Sequence, residues 1–180
     1  LAFIMHSLSW LAPNGTAAIV CFPGVMYRSG AEQKIRKYLI DNNYIDGIIQ
    51  LPDNLFYGTS IATCIMVLKK SKIDNKVLFI DASKEFVKVT NSNKITEKHI
   101  DDIVEKFTKR ENIEYISNLI EYEKIVEENY NLSVSTYVEK EDTSEKVDIV
   151  ELNKEIERIV AREEELRKEI DKIIAEIEIK

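Results

Sequence analysis

The sequence predicts an α/β protein with a helical tail, and three observations carry that expectation. Residues 16–22, 44–51 and 61–69 are apolar runs bounded by turn residues, which read as buried strands. A stretch of helical period lies between the first two, opening at Ser29 and stopping at Asn42-Asn43. From residue 148 onward, apolar residues recur three and four apart, the mark of a long amphipathic helix.

Taken in order, Leu1, Ile4, Met5, Leu8 and Leu11 give an opening helix that stops at Pro13-Asn14-Gly15. Residues 16–22 show no polar alternation, so a central parallel strand with both faces covered is expected there, ended by Pro23-Gly24. Ser29 with Glu32 forms a capping-box pattern, and Ala31, Ile35, Tyr38 and Leu39 supply the buried stripe of the helix that follows. The strands at 44–51 and 61–69 are joined by about eight residues, too few for a crossover helix, so they should pair antiparallel. A further strand is expected at 77–82, after the turn at 72–76. Thr96 can cap a helix carrying Ile100, Ile103, Val104 and Phe107, and residues 111–128 also read as helical. Residues 139–147, charged and without an apolar side chain up to Lys146, read as an exposed linker. The expected organisation is a domain at 1–138 (sheet about 1–83, helices about 96–138), that linker, and a coiled-coil-like helix at 148–180.

The composition excludes several classes. No apolar run approaches the roughly 18 residues that a membrane-spanning helix needs, so no membrane partner is expected. Cys21 and Cys64 sit inside apolar runs and read as reduced core thiols, which suits a cytoplasmic location. With His6 and His99 as the only histidines, and far apart, no metal site is expected. Net charge is −7, but residues 1–70 carry six Lys or Arg against four Asp or Glu, while residues 71–180 carry nineteen against twenty-eight. Any DNA-facing surface therefore belongs to the first part, and the chain alone should bind duplex DNA weakly.

Three stretches carry a family resemblance. They are Gly24-Val-Met-Tyr-Arg-Ser-Gly-Ala-Glu-Gln-Lys-Ile-Arg36, Asp46-Gly-Ile-Ile-Gln-Leu-Pro-Asp-Asn-Leu-Phe-Tyr-Gly-Thr59 and Asn129-Tyr-Asn-Leu-Ser-Val-Ser-Thr-Tyr-Val138. Each resembles the modification subunit of type I restriction–modification systems, an N6-adenine DNA methyltransferase. The resemblance implies the carboxyl-terminal half of a class I methyltransferase sheet, with helices on both faces and a terminal helix. It also implies S-adenosylmethionine as methyl donor, and DNA, a specificity subunit and a restriction subunit as partners. Two motifs of that family, an Asp/Asn-Pro-Pro-aromatic tetrapeptide and a glycine-rich donor turn, are not in this sequence. They are expected upstream of Leu1, which makes the chain a carboxyl-terminal fragment with no catalytic residue of its own and no activity alone. Two rival readings are the methyltransferase part of a fused restriction–modification enzyme and a non-catalytic α/β interaction module.

The candidate site residues follow from placement. In adenine methyltransferases an aromatic residue between the last two strands often stacks on the extruded base, and Phe56, with Tyr57 behind it, holds that place here; packing beneath the loop as core is the equal alternative for Phe56. Pro23 and Gly24, just past a strand, could border the cofactor or base pocket or be a plain turn. Arg28, Lys34, Arg36 and Lys37 could meet DNA phosphates or be ordinary solvated surface. In the tail, Ile149, Leu152, Ile156, Ile159, Leu166, Ile170, Ile173 and Ile177 form a partner-binding seam, interrupted by Glu163 and widened by Val160 and Ile174.

Overall fold

The computed structural model describes residues 1–141 and 149–178, the side chains of the second segment through residue 174. It divides into two compact units, Leu1–Glu141 and Asp142–Lys180. Most of the linker expected at 139–147 lies outside the described residues.

The first unit is built on a five-stranded sheet of β1 (Thr16–Cys21), β2 (Ile45–Gln50), β3 (Cys64–Lys69), β4 (Val77–Asp81) and β7 (Ser117–Ile120), in the order β1-β3-β2-β4-β7. β2 and β3 pair antiparallel, as the short connection requires. Only β2 and β4 run parallel, so the sheet is mostly antiparallel. The expectation of a central parallel strand at 16–22 is corrected by this arrangement. β1 stands first in the order and, among the described strands, pairs antiparallel with β3 alone. Its burial alternates, with Ala17, Ile19 and Cys21 turned toward the core while Thr16, Ala18 and Val20 are exposed. The unbroken apolar run hid that period because Ala18 and Val20 are apolar on the outward face.

Alternate strand positions feed two cores, one on each side. Ile45, Ile48, Met66, Leu68, Val77 and Phe79 pack in one cluster with α1 (Ala2–Trp10), α2 (Gly24–Tyr27), α3 (Ala31–Asp41), α5 (Tyr122–Glu127) and α6 (Val134–Tyr137). Ile49, Val67, Leu78 and Ile80 pack in the other with Ile103 and Phe107 of α4 (Glu97–Lys109). Helices thus lie on both faces. Thr96 caps α4 as expected, its hydroxyl accepting from His99 N while His99 Nδ1 accepts from Thr96 N.

Three local expectations are corrected. Ser29 and Glu32 form no capping box, because the N-cap is Gly30 at φ 78°, a left-handed conformation that starts the helix one residue later. The buried positions of α3 are Arg36, Leu39 and Ile40, with Ile35 half-buried and Tyr38 exposed. Residues 111–128 are not one helix. Ser117 Oγ donates to Glu111 O and Asn112 Oδ1 accepts from Leu119 N, both at 2.7 Å, local bonds that turn the chain so that β7 pairs with β4 before α5 begins. A hairpin of β5 (Val87–Val89) and β6 (Ser92–Lys94) follows β4 and was not expected from the sequence.

The second unit is α7, Ile149–Glu178, whose described side chains are all exposed.

Candidate functional site

Four strands end in one row. Cys21 pairs with Cys64, Cys64 with Gln50, and Gln50 with Asp81, so the carboxyl ends of β1, β2 and β4 share an edge with the start of β3. Ligands of open α/β sheets bind at such an edge. From it project the Pro23-Gly24 turn, the connection between β2 and β3, and the turn after Asp81 that leads into the β5–β6 hairpin.

The β2–β3 connection is the most exposed of these. Phe56 is 42% exposed and belongs to neither core cluster, and Tyr57 is fully exposed. Phe56 stands between two hollows. One, about 270 Å³, is lined by Val20, Cys21, Phe22, Phe56, Thr59 and Thr63 and is almost wholly apolar. The other, about 380 Å³, lies between the loop and the hairpin tip at Asn91 and Ser92. An apolar, aromatic wall with hydroxyl and amide groups beside it suits the flat face of a nucleobase. The first hollow offers nothing to move a proton or attack. Its one thiol, Cys21, has its pKa raised by burial. Thr63 Oγ1 is buried there without a hydrogen-bond partner.

The other candidate residues separate. Pro23 lines a groove of about 560 Å³ together with Gln50, Asp53, Asp81 and Ser83. Gly24 is buried, and a Cβ on it would lie 2.9 Å from Arg28 Nε, so the arginine lies against the turn. Lys34 is exposed. Arg36 is corrected as a phosphate contact: it is 1% exposed, with Nε donating to Tyr130 O at 2.8 Å and Nη1 to Val25 O at 3.0 Å. Lys37 is exposed but engaged, donating to the Tyr130 hydroxyl at 2.6 Å and paired with Asp41 at 3.0 Å, and these bonds raise its pKa. Along α7, the seam residues from Ile149 to Ile173 are between 43% and 71% exposed, while the side chain of Ile177 lies outside the described residues.

One contact at this edge was missed by the sequence reading. Asn93 of β6 is buried and bonds the loop at Asp53 and Asn54. The signal available was slight: Thr90-Asn91-Ser92-Asn93 is a turn-rich run between Val87-Lys-Val89 and Ile95.

Fold and edge define an α/β domain with helices on both faces, and comparison with known proteins gives its family. A family model described as N-6 DNA methylase matches residues 1–146, and the chain belongs to that family. The methylase subunit of the type I restriction enzyme MpnII from Mycoplasma pneumoniae is 48% identical over 181 residues, covering 99% of this chain and 33% of that protein. The MjaVII methylase subunit of Methanocaldococcus jannaschii is 37% identical, covering 82% of this chain and 27% of its own length. Among solved structures, a type I restriction–modification methyltransferase subunit from Streptococcus thermophilus matches with a TM-score of 0.75 at 43% identity, over 77% of this chain and 30% of that one. The M protein of the type I enzyme EcoKI shares the fold, with a TM-score of 0.65 at 17% identity. The chain spans about a third of the length of the curated relatives it matches. No described helix is long and apolar enough to cross a membrane.

Proposed function

We propose that this chain is part of a type I modification subunit that transfers a methyl group from S-adenosylmethionine to adenine N6 in DNA, in the cytoplasm. The observation that carries the reading is the 48% identity to a type I methylase subunit along nearly the whole chain, joined to an exposed aromatic loop at the ligand-binding edge of the sheet. An amino group stacked inside duplex DNA is out of reach, so the target adenine must leave the stack and be held. In this reading Phe56 supplies the stacking face, Tyr57 backs it, and the hollow bounded by Val20, Phe22 and Thr59 receives the base. Pro23 borders the groove next to it, with Gly24 buried beside it in the chain. Arg28 and Lys34 remain as cations for DNA phosphates; Lys37 could serve only by giving up Asp41.

The described residues do not fit the methyl donor by themselves. The family's glycine-rich donor turn is not in this sequence, and at the single-glycine turn after β1 the Arg28 side chain lies against Gly24. This chain's share of the work is thus to hold the base. The exposed seam of α7 is assigned to docking on the specificity subunit, which with a restriction subunit would complete a type I complex; the alignment with the MpnII subunit runs through this helix, and a structural neighbour is described in terms of type I complex assembly.

Phe56→Ala in the full-length subunit tests the reading. Loss of stacking should lower methylation roughly tenfold to a hundredfold, the equivalent of about 1–3 kcal/mol, with the melting temperature unchanged. A variant that melts several degrees lower at full specific activity would make Phe56 a packing residue.

A further inference from the structure

Around Phe56 and Tyr57 the backbone bonds that the loop makes across its own turn are long. Asn54 N donates to Ser60 O and Thr59 N to Phe56 O, each at 3.4 Å, beyond the distance of a firm N–H···O bond. At the stem Leu51 N donates to Thr63 O at 2.9 Å, and beyond the aromatic pair Ile61 N donates to Thr59 Oγ1 at 3.2 Å, but on the Asp53-Asn54 side the short bonds come from the hairpin. Asn93 N donates to Asn54 O at 2.9 Å, and Asn93 Nδ2 donates to both Asp53 O and Asp53 Oδ1, each at 2.9 Å. Of residues 87–94, Asn93 alone is buried, at 9% exposure. A buried amide is costly unless bonded, and here its donors are spent on the loop.

What the bonds fix is close to the aromatic pair. Asn54 has φ 48°, a left-handed conformation that asparagine tolerates, and its carbonyl is the one Asn93 N holds, two residues before Phe56. In the other direction, the three bonds seat the hairpin, because an isolated two-stranded ribbon is marginal in water. Lys88 is the cross-strand partner of Asn93 and so shares its face, bringing a cation to the side of the hairpin that meets the loop. The hairpin tip at Asn91 and Ser92 then closes the second hollow against Phe56 and Tyr57.

We propose that Asn93 is the positioning residue of the base-holding loop: by tying β6 to Asp53 and Asn54 it fixes Phe56 in place before the adenine arrives. The inference rests on the proposed function, since it assigns the loop to an extruded base. A loop already ordered need not lose its freedom when the base binds, and a misplaced stacking face costs rate rather than stability.

The test uses the full-length methylase subunit assembled with its specificity subunit, on DNA with adenine or the fluorescent base 2-aminopurine at the target position. Asn93→Ala should lower kcat about tenfold to a hundredfold and suppress the 2-aminopurine rise, with KM for S-adenosylmethionine unchanged. Asn93→Asp sets a second carboxylate against Asp53 and should be at least as impaired. The double variant D53N/N93D restores the side-chain amide–carboxylate bond with donor and acceptor exchanged, though not the bond to Asp53 O, and should regain part of the activity over N93D alone. Should N93A fail to fold, the comparison of N93D with D53N/N93D decides. Wild-type kcat and a normal 2-aminopurine signal in folded N93A, or no gain in the double variant, would overturn the assignment. Absence of adenine methylation by the wild-type complex would instead overturn the functional reading beneath it.

Discussion

Arg36 and Cys64 show how single residues here serve the fold. Arg36 lies among the buried positions of α3 and spends its guanidinium on Val25 O and Tyr130 O, while Gln33 donates to Asn129 O. Asn129 and Tyr130 are both left-handed, at φ 53° and 57°, so α3 clamps a strained turn. The run Asn129–Val138, which resembles a family motif, is therefore in large part structural: Leu132 N donates to Met26 O and the Tyr137 hydroxyl to Asn131 O. The sequence shows a cation on a helix, but not the distant carbonyls that bury it, which is why Arg36 read as surface. The thiols were legible, since each sits in an apolar run; Cys64 is 1% exposed, and burial, with Cys21 beside it, pushes its pKa up to about 12. Little thiolate exists at neutral pH, so iodoacetamide at pH 8 should leave Cys64 unmodified in the native protein and label it in guanidinium. The raised pKa means that the unfolded chain loses this proton first, above pH 9.0, so its contribution to stability is complete below that and declines as pH rises toward 12. Rapid native labelling would contradict the burial.

At the scale of elements, what the sequence displayed depended on length and closeness. The antiparallel pairing of β2 with β3 was legible because the connection is short, and α4 was legible from its cap and period. The β5–β6 hairpin has three residues per strand, too few for alternation to stand out, and its place is set by Asn93 rather than by an apolar face. Gly47 is an element-level contact that composition conceals. It sits where the β2–β3 register shifts, and a Cβ there would lie 2.7 Å from Phe107 Cε2 and 2.9 Å from Leu78 O. The close approach of α4 to the sheet requires glycine at this point. Gly47→Ala should destabilise the first unit by about 1–3 kcal/mol through overpacking, read as a lower midpoint in urea. An unchanged midpoint would contradict the packing of Phe107 on β2.

At the scale of the whole molecule, α7 carries more exposed apolar surface than a helix leaves in water. Fully burying a leucine or isoleucine contributes roughly 1.5–3 kcal/mol, and seven such seam residues with described side chains are exposed. If α7 docks as proposed, replacing Ile156, Ile159 and Ile170 with Asp should abolish co-purification with the specificity subunit while the Leu1–Glu141 unit keeps its melting temperature. A complex that survives would remove α7 as the docking element, and a destabilised first unit would show that the helix packs within its own chain. The α/β class and the aromatic loop were legible in the sequence, whereas the site's neighbours were not, because register and the hairpin bring them together from distant positions. The most direct measurement is mass spectrometry of nucleosides from DNA incubated with S-adenosylmethionine and the full-length subunit bound to its specificity subunit. N6-methyladenine is the expected product, and its loss with Phe56→Ala in a folded complex would trace it to this loop. DNA without N6-methyladenine, or with methyl groups only on cytosine, would contradict the account.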